Sequence, residues 1–145
     1  MKNYQNILCV IDLSSENREI VNRAAEMAKH YGAKLNLLHV VEHLPSEVTT
    51  NIVLPENESI EDHLMASARE ELDKLKSEMG LSDATVSVEL GSTKNKIVDI
   101  AKSDGIDLII MGRHGRHGIS RLLGSTANAV LHHAPCDVLA IMVGK

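Results

Sequence analysis

The run from Ile106 to Val143, IDLIIMGRHGRHGISRLLGSTANAVLHHAPCDVLAIMV, sets the tightest limits on what this chain can become. It reads as an apolar strand over Ile106 to Met111, a glycine- and arginine-rich loop from Gly112 to Gly118, an amphipathic helix, and a second apolar strand. A strand that ends in glycine and feeds a helix can present backbone N–H groups to an anion, because glycine lets the anion approach the main chain. The charge pattern points the same way. The chain carries a net charge of -5, yet no Asp or Glu lies between Asp107 and Asp137. That interval holds Arg113, Arg116 and Arg121 with His114, His117, His132 and His133. Cations concentrated on an anionic protein mark where a phosphate would sit, although solvated surface arginines would look the same.

Around this run the chain alternates strand and helix. Asn6 to Ile11 is apolar at nearly every position, as in a strand covered on both faces. Ser14 and Ser15 are candidate helix caps with Glu16 in the first turn. Ile20, Val21, Ala24, Ala25, Ala28 and Tyr31 then recur at helical spacing, and Gly32 stops the helix. Lys34 to Val41 predicts a second strand, and the connection from Glu42 to Ser59 shows little periodicity. From Ile60, the residues Leu64, Ala68, Leu72, Leu75 and Met79 define a helical face. Ala84 to Leu90 predicts a strand, Gly91 to Thr93 a turn, and Ile97, Ile100 and Ala101 a short helix closed by Gly105. In the last helix the apolar face is Ile119, Leu122, Leu123, Ala127, Val130 and Leu131, which puts Gly124 inside the helical pattern at a cost of roughly 1 kcal/mol against alanine. Asp137 to Val143 closes the chain.

The order βαβαβαβαβ predicts one α/β domain over residues 1–145, with a parallel sheet covered by helices on both faces and right-handed crossovers. Ligands in such sheets bind beyond the carboxyl ends of strands, where the winding reverses. Asp12, Val40 and Gly112 all fall at those ends. Val138 to Val143 is apolar throughout and carries no protective Lys or Pro, so it predicts an edge that pairs with a second copy.

Composition removes several functions. The chain has two tyrosines and no Phe or Trp, hence few platforms for stacking single-stranded nucleic acid. Its acidic balance opposes binding to a duplex backbone. No apolar run approaches membrane-spanning length, and Cys9 and Cys136 lack metal or redox spacing, so a cytoplasmic protein with reduced thiols is expected. His39 reads as a core histidine, and adjacent His132 and His133 do not chelate as a pair. There is no GxxxxGK[ST] loop and no GxSxG elbow, and the cationic loop contains no acid to hold a metal for phosphoryl transfer. An enzyme is therefore not expected.

The segments NILCVIDLSS, LNLLHVVE, GIDLIIMGRHG and LLGSTANAVLHHAPCDVLAIMV together resemble the universal stress proteins, over essentially the whole chain. The resemblance implies a five-stranded parallel sheet in the order 3-2-1-4-5, Rossmann-like and of the adenine-nucleotide-binding type, and a homodimer formed through the last strand, Val138 to Val143. Gly112, Gly115 and Gly124-Ser125 match the glycine pattern of the family's ATP-binding branch, with one residue fewer between the second and third glycines. The resemblance further implies that Asp12 lies near the adenosine, that Val40 presents backbone to adenine, and that Val10 lines the pocket. Gly112, Arg113, Gly115, Gly124, Ser125 and Thr126 would then surround ribose and phosphates, with ATP and Mg²⁺ as the ligand. Three readings stand: a nucleotide-responsive stress-response dimer, a dimeric interaction protein that does not bind ATP, and a slow ATPase.

Overall fold

The computed structural model describes residues 3–14, 16–43, 59–113 and 124–143. Nine elements follow in order: β1 (Asn6–Val10), α1 (Asn17–Tyr31), β2 (Lys34–Val41), α2 (Ile60–Glu78), β3 (Thr85–Leu90), α3 (Thr93–Ser103), β4 (Leu108–Gly112), α4 (Ser125–His133) and β5 (Asp137–Ile141). The strands form one parallel sheet in the order β3-β2-β1-β4-β5. The winding reverses between β1 and β4, which is the topological switch point.

Successive residues of a strand point to opposite faces, and here the alternation builds two cores. Ile7, Cys9 and Ile11 join Leu35, Leu37, Leu108 and Ile110 beneath α1 and α2, which supply Ile20, Val21, Ala24 and Leu72. Leu8 and Val10 join Leu38, Val40, Ile109 and Met111 beneath α3 and α4, which supply Ile97, Ala101, Ala127 and Val130. Cys9 is fully enclosed in the first core, and burial pushes its thiol up to about 12, so it stays protonated and inert. Both cysteines are free.

Local signals explain several boundaries. Gly32 takes a left-handed φ of 66° and returns its N–H to the end of α1, as a helix stop requires. Ser59 caps α2, accepting from the Asp62 N–H at 3.0 Å. Asp107 ties the starts of two strands together: its carboxylate accepts from the N–H groups of Gln5 (2.8 Å) and Asn6 (3.0 Å). At the other edge, the Tyr4 hydroxyl donates to Asp137 at 2.8 Å, and that bond holds the phenol proton more tightly than usual.

Other boundaries differ from the sequence reading. The cap of α1 is Glu16, which makes no side-chain cap bond, and not Ser14. The reason lies upstream, where Asp12 takes the Ser14 N–H and Leu13 adopts a left-handed φ of 62°, delaying the helix. Ser15, the other candidate, lies outside the described residues, as does most of the 42–59 connection. Leu64 and Leu131 were expected on apolar faces but are exposed, Leu131 at 44%. The last strand ends at Ile141, and Met142 beyond it is 56% exposed.

Candidate functional site

The site is read at the carboxyl ends of β1, β2 and β4. Cys9 is level with Ile110, so the chains leaving β1 and β4 emerge side by side, about 4.8 Å apart as neighbouring strands. Val10 and Val40 are buried on the α3/α4 side, in the same cluster as Ala127 of α4. They form an apolar floor on the face where α4 begins.

Asp12 follows β1 directly. Its Oδ1 accepts from the Ser14 N–H at 2.9 Å, the turn role that the sequence offered as its alternative to a ligand role. His39 braces the same corner: its Nδ1 lies 2.6 Å from the Ile11 carbonyl, and the Ile11 N–H reaches Leu38 O at 2.8 Å. His39 is thus a satisfied, partly buried histidine that fixes the peptide just before Asp12. Sequence reasoning assigned it to the core and missed that bracing, since a cross-strand bond to a carbonyl leaves no mark in the sequence.

Gly112 was expected in the loop but is the last residue of β4, paired with Ile141. The strand starts two residues later than expected, because Ile106 still bonds back to Ala101 and Asp107 is occupied with β1. The ladder even continues past Gly112, with the Arg113 N–H donating to Ile141 O at 2.8 Å. The Arg113 carbonyl then accepts from the Gly124 N–H, also at 2.8 Å. This one bond closes the base of the excursion between them and brings the end of β4 against the start of α4. Gly115, and with it His114, Arg116, His117, Gly118 and Arg121, lies on residues 114–123, outside the described set.

Gly124 is not inside a helix. It is the extended N-cap of α4 (φ -62°, ψ 154°), so the helix-interior cost expected from the apolar pattern does not arise. Ile119, Leu122 and Leu123, on which that pattern rested, lie outside the described residues. A glycine cap has no side chain to accept from the first turn. The amides of Ser125, Thr126 and Ala127 have no partner within the helix, and the first internal bond there is Asn128 N–H to Gly124 O, 2.8 Å. An uncapped helix start beside a strand end is suited to an anion, through oriented N–H groups and the helix dipole. The donor set therefore fits a nucleotide: amides and a hydroxyl at Ser125 and Thr126, an apolar floor at Val10 and Val40, and a carboxylate at Asp12. Among the described residues no group of three or more His, Cys, Asp or Glu could hold a metal ion. None of the described helices is long and apolar enough to cross a membrane.

Known proteins agree on the family. Residues 3–142 match the universal stress protein family. Universal stress protein A homolog 2 of Coxiella burnetii is 42% identical over 144 residues, which cover 99% of this chain and 98% of that one. The solved universal stress protein UspA from Lactobacillus plantarum has a TM-score of 0.77 and 26% identity, covering 99% of this chain and all of its own. A universal stress protein solved in complex with cAMP has a TM-score of 0.70 at 23% identity, covering 99% and 100% of the two chains. Fold, switch-point geometry and sequence together place this chain in the universal stress protein family.

Proposed function

We propose that this chain binds ATP, with Mg²⁺ carried on the phosphates, in the crevice between Asp12, Val40 and the start of α4. The Arg113–Gly124 bond carries the reading, because it unites the two halves of the glycine pattern. With the base closed there, the shorter spacing between Gly115 and Gly124 is absorbed within the excursion. Val10 and Val40 would exclude water from the adenine, Asp12 would accept from ribose or base, and Ser125 and Thr126 would donate to phosphate. Gly112, Arg113 and Gly115 would complete the cradle. A relative of the same fold crystallised with cAMP, an adenine nucleotide, which supports the ligand class.

The role that follows is a nucleotide-responsive module of the cytoplasmic stress response and not an efficient enzyme. Phosphoryl transfer needs an acid for the metal and a group that orients the nucleophile. Asp12 is the acid placed at this edge, and one of its oxygens already accepts from Ser14. Binding would act on partners only through unequal affinity for two states of the loop. Calorimetry of ATP with Mg²⁺ into protein purified without nucleotide is the direct check. Saturable heat and a raised melting temperature are expected. Silence in both at about 1 mM ATP, where any Kd useful in a cell would register, would leave a dimeric interaction protein that does not bind ATP as the reading. Phosphate release that disappears in Asp12→Ala would instead make it a slow ATPase.

The molecule is proposed to act as a homodimer through Val138 to Val143. β5 is an edge strand with β4 on one side, and Met142 stands exposed just past it. In sedimentation velocity the chain should run as a dimer, and Met142→Lys should raise the dissociation constant by about tenfold or more, the effect of one unfavourable buried charge. A wild-type monomer at all concentrations would remove the dimer from the reading.

A further inference from the structure

We propose that a cleft between α1 and α2, on the face of the sheet opposite Val10 and Val40, is a second small-molecule site that takes a zwitterion of the free α-amino-acid class. Asn17 is the one polar side chain that is buried among the described residues, with 6% of its surface exposed, and its Oδ1 has no hydrogen-bond partner. Buried polar atoms without a partner are uncommon and call for an explanation. Turning the amide over exchanges Oδ1 for Nδ2 and leaves a polar atom in the same place.

Asn17 lines a cleft of about 410 Å³. That lies within the range of small-molecule sites, about 300–1,000 Å³. It is also the first residue of α1, whose cap, Glu16, covers none of the first-turn amides with its side chain. The cleft thus has an anion-favouring helix start and an unsatisfied amide in the same wall. From the far wall, α2 contributes Glu71, Lys74, Leu75 and Glu78. Arg18 of α1 reaches across to Glu78 and joins the two helices at the rim. Glu71 and Lys74 make no ion pair among the described residues, so opposite charges stand free on one wall.

These groups match a ligand with a carboxylate beside an ammonium. Lys74 and the start of α1 suit the carboxylate. Glu71 and Asn17 Oδ1 suit the ammonium, and Leu75 meets a side chain. A simple anion would leave Glu71 and Asn17 unmatched, and a simple cation would leave Lys74 and the helix start unmatched. The inference does not depend on the nucleotide reading, since it uses other residues on the other face.

The test uses the full chain and the common free amino acids, added one at a time, while ¹⁵N–¹H spectra follow the Asn17 side-chain amide. At least one amino acid should move that resonance saturably, and ATP should not displace it. Lys74→Gln and Glu71→Gln, both solvent-facing changes, should each weaken binding about tenfold, as expected for one charged hydrogen bond. Asn17→Leu should abolish it. If no amino acid moves the amide and Asn17→Leu merely raises the melting temperature, Asn17 is an orphaned polar group and the proposal fails. It fails equally if acetate binds as well as any amino acid, or if the two α2 variants bind like the parent.

Discussion

Ser125→Pro is expected to weaken ATP binding by about a hundredfold while leaving the fold intact. Proline is tolerated at the first position of a helix, where its missing N–H would be unpaired in any case. Ser125 holds that position in α4. Proline also demands an extended residue before it, and Gly124 already has φ -62° and ψ 154°. The substitution therefore removes a backbone donor and a hydroxyl from the proposed phosphate cradle without disturbing the helix. A hydrogen bond to a charged group contributes about 1.5–3 kcal/mol, so two lost bonds correspond to at least roughly 3 kcal/mol, or about a hundredfold in Kd. Ser125→Ala keeps the amide and should cost about tenfold. Calorimetry on the three proteins, with circular dichroism as the fold control, gives the comparison. Equal affinities would place the phosphates elsewhere. A hundredfold loss in the alanine variant as well would assign the whole effect to the hydroxyl and remove the amide from the argument.

The fold was legible because its two cores are written as period-two alternation in short strands. Ile7, Cys9 and Ile11 against Leu8 and Val10 need no context to be read as covered on both faces. Gly32 was equally plain, since a left-handed residue after a periodic run has few other uses. The site was harder, and the failures share a cause. Gly124 read as a helix interior because the apolar spacing of Ile119, Leu122 and Leu123 runs through it. Periodicity reports which residues are apolar, not where the hydrogen-bond ladder starts. The Arg113–Gly124 closure joins main-chain atoms, which are the same in every residue, so no side chain announces it. Ser14 looked like a cap on its own, yet Asp12 reaches it first. Asn17 looked like an ordinary polar residue at a helix start; its burial comes from α2, far along the chain, and only packing reveals it.

Truncating Ile110 to alanine should remove about 3–4 kcal/mol of stability, the usual range for a large aliphatic side chain in a fully packed site. Ile110 has no exposed surface and sits in the first core. Its strand is bonded on both sides, opposite Cys9 of β1 and Leu139 of β5, so neither neighbour can close the void without breaking register. For a chain of this size each kcal/mol corresponds to about 3 °C, so the melting temperature should fall by roughly 10 °C. Leu131→Ala removes a similar volume from an exposed position and should stay within about 0.5 kcal/mol of the parent. Ile110 faces the core opposite Val10 and Val40, so its loss leaves the proposed nucleotide floor in place. ATP at about 100 times its Kd would then return roughly 2.7 kcal/mol to the Ile110→Ala protein, most of what was lost. Denaturant titrations at fixed protein concentration, with and without ATP, read both quantities together. A loss below about 1 kcal/mol would contradict the packing of β4. A normal loss with no recovery in ATP would leave the fold standing and remove the nucleotide from it.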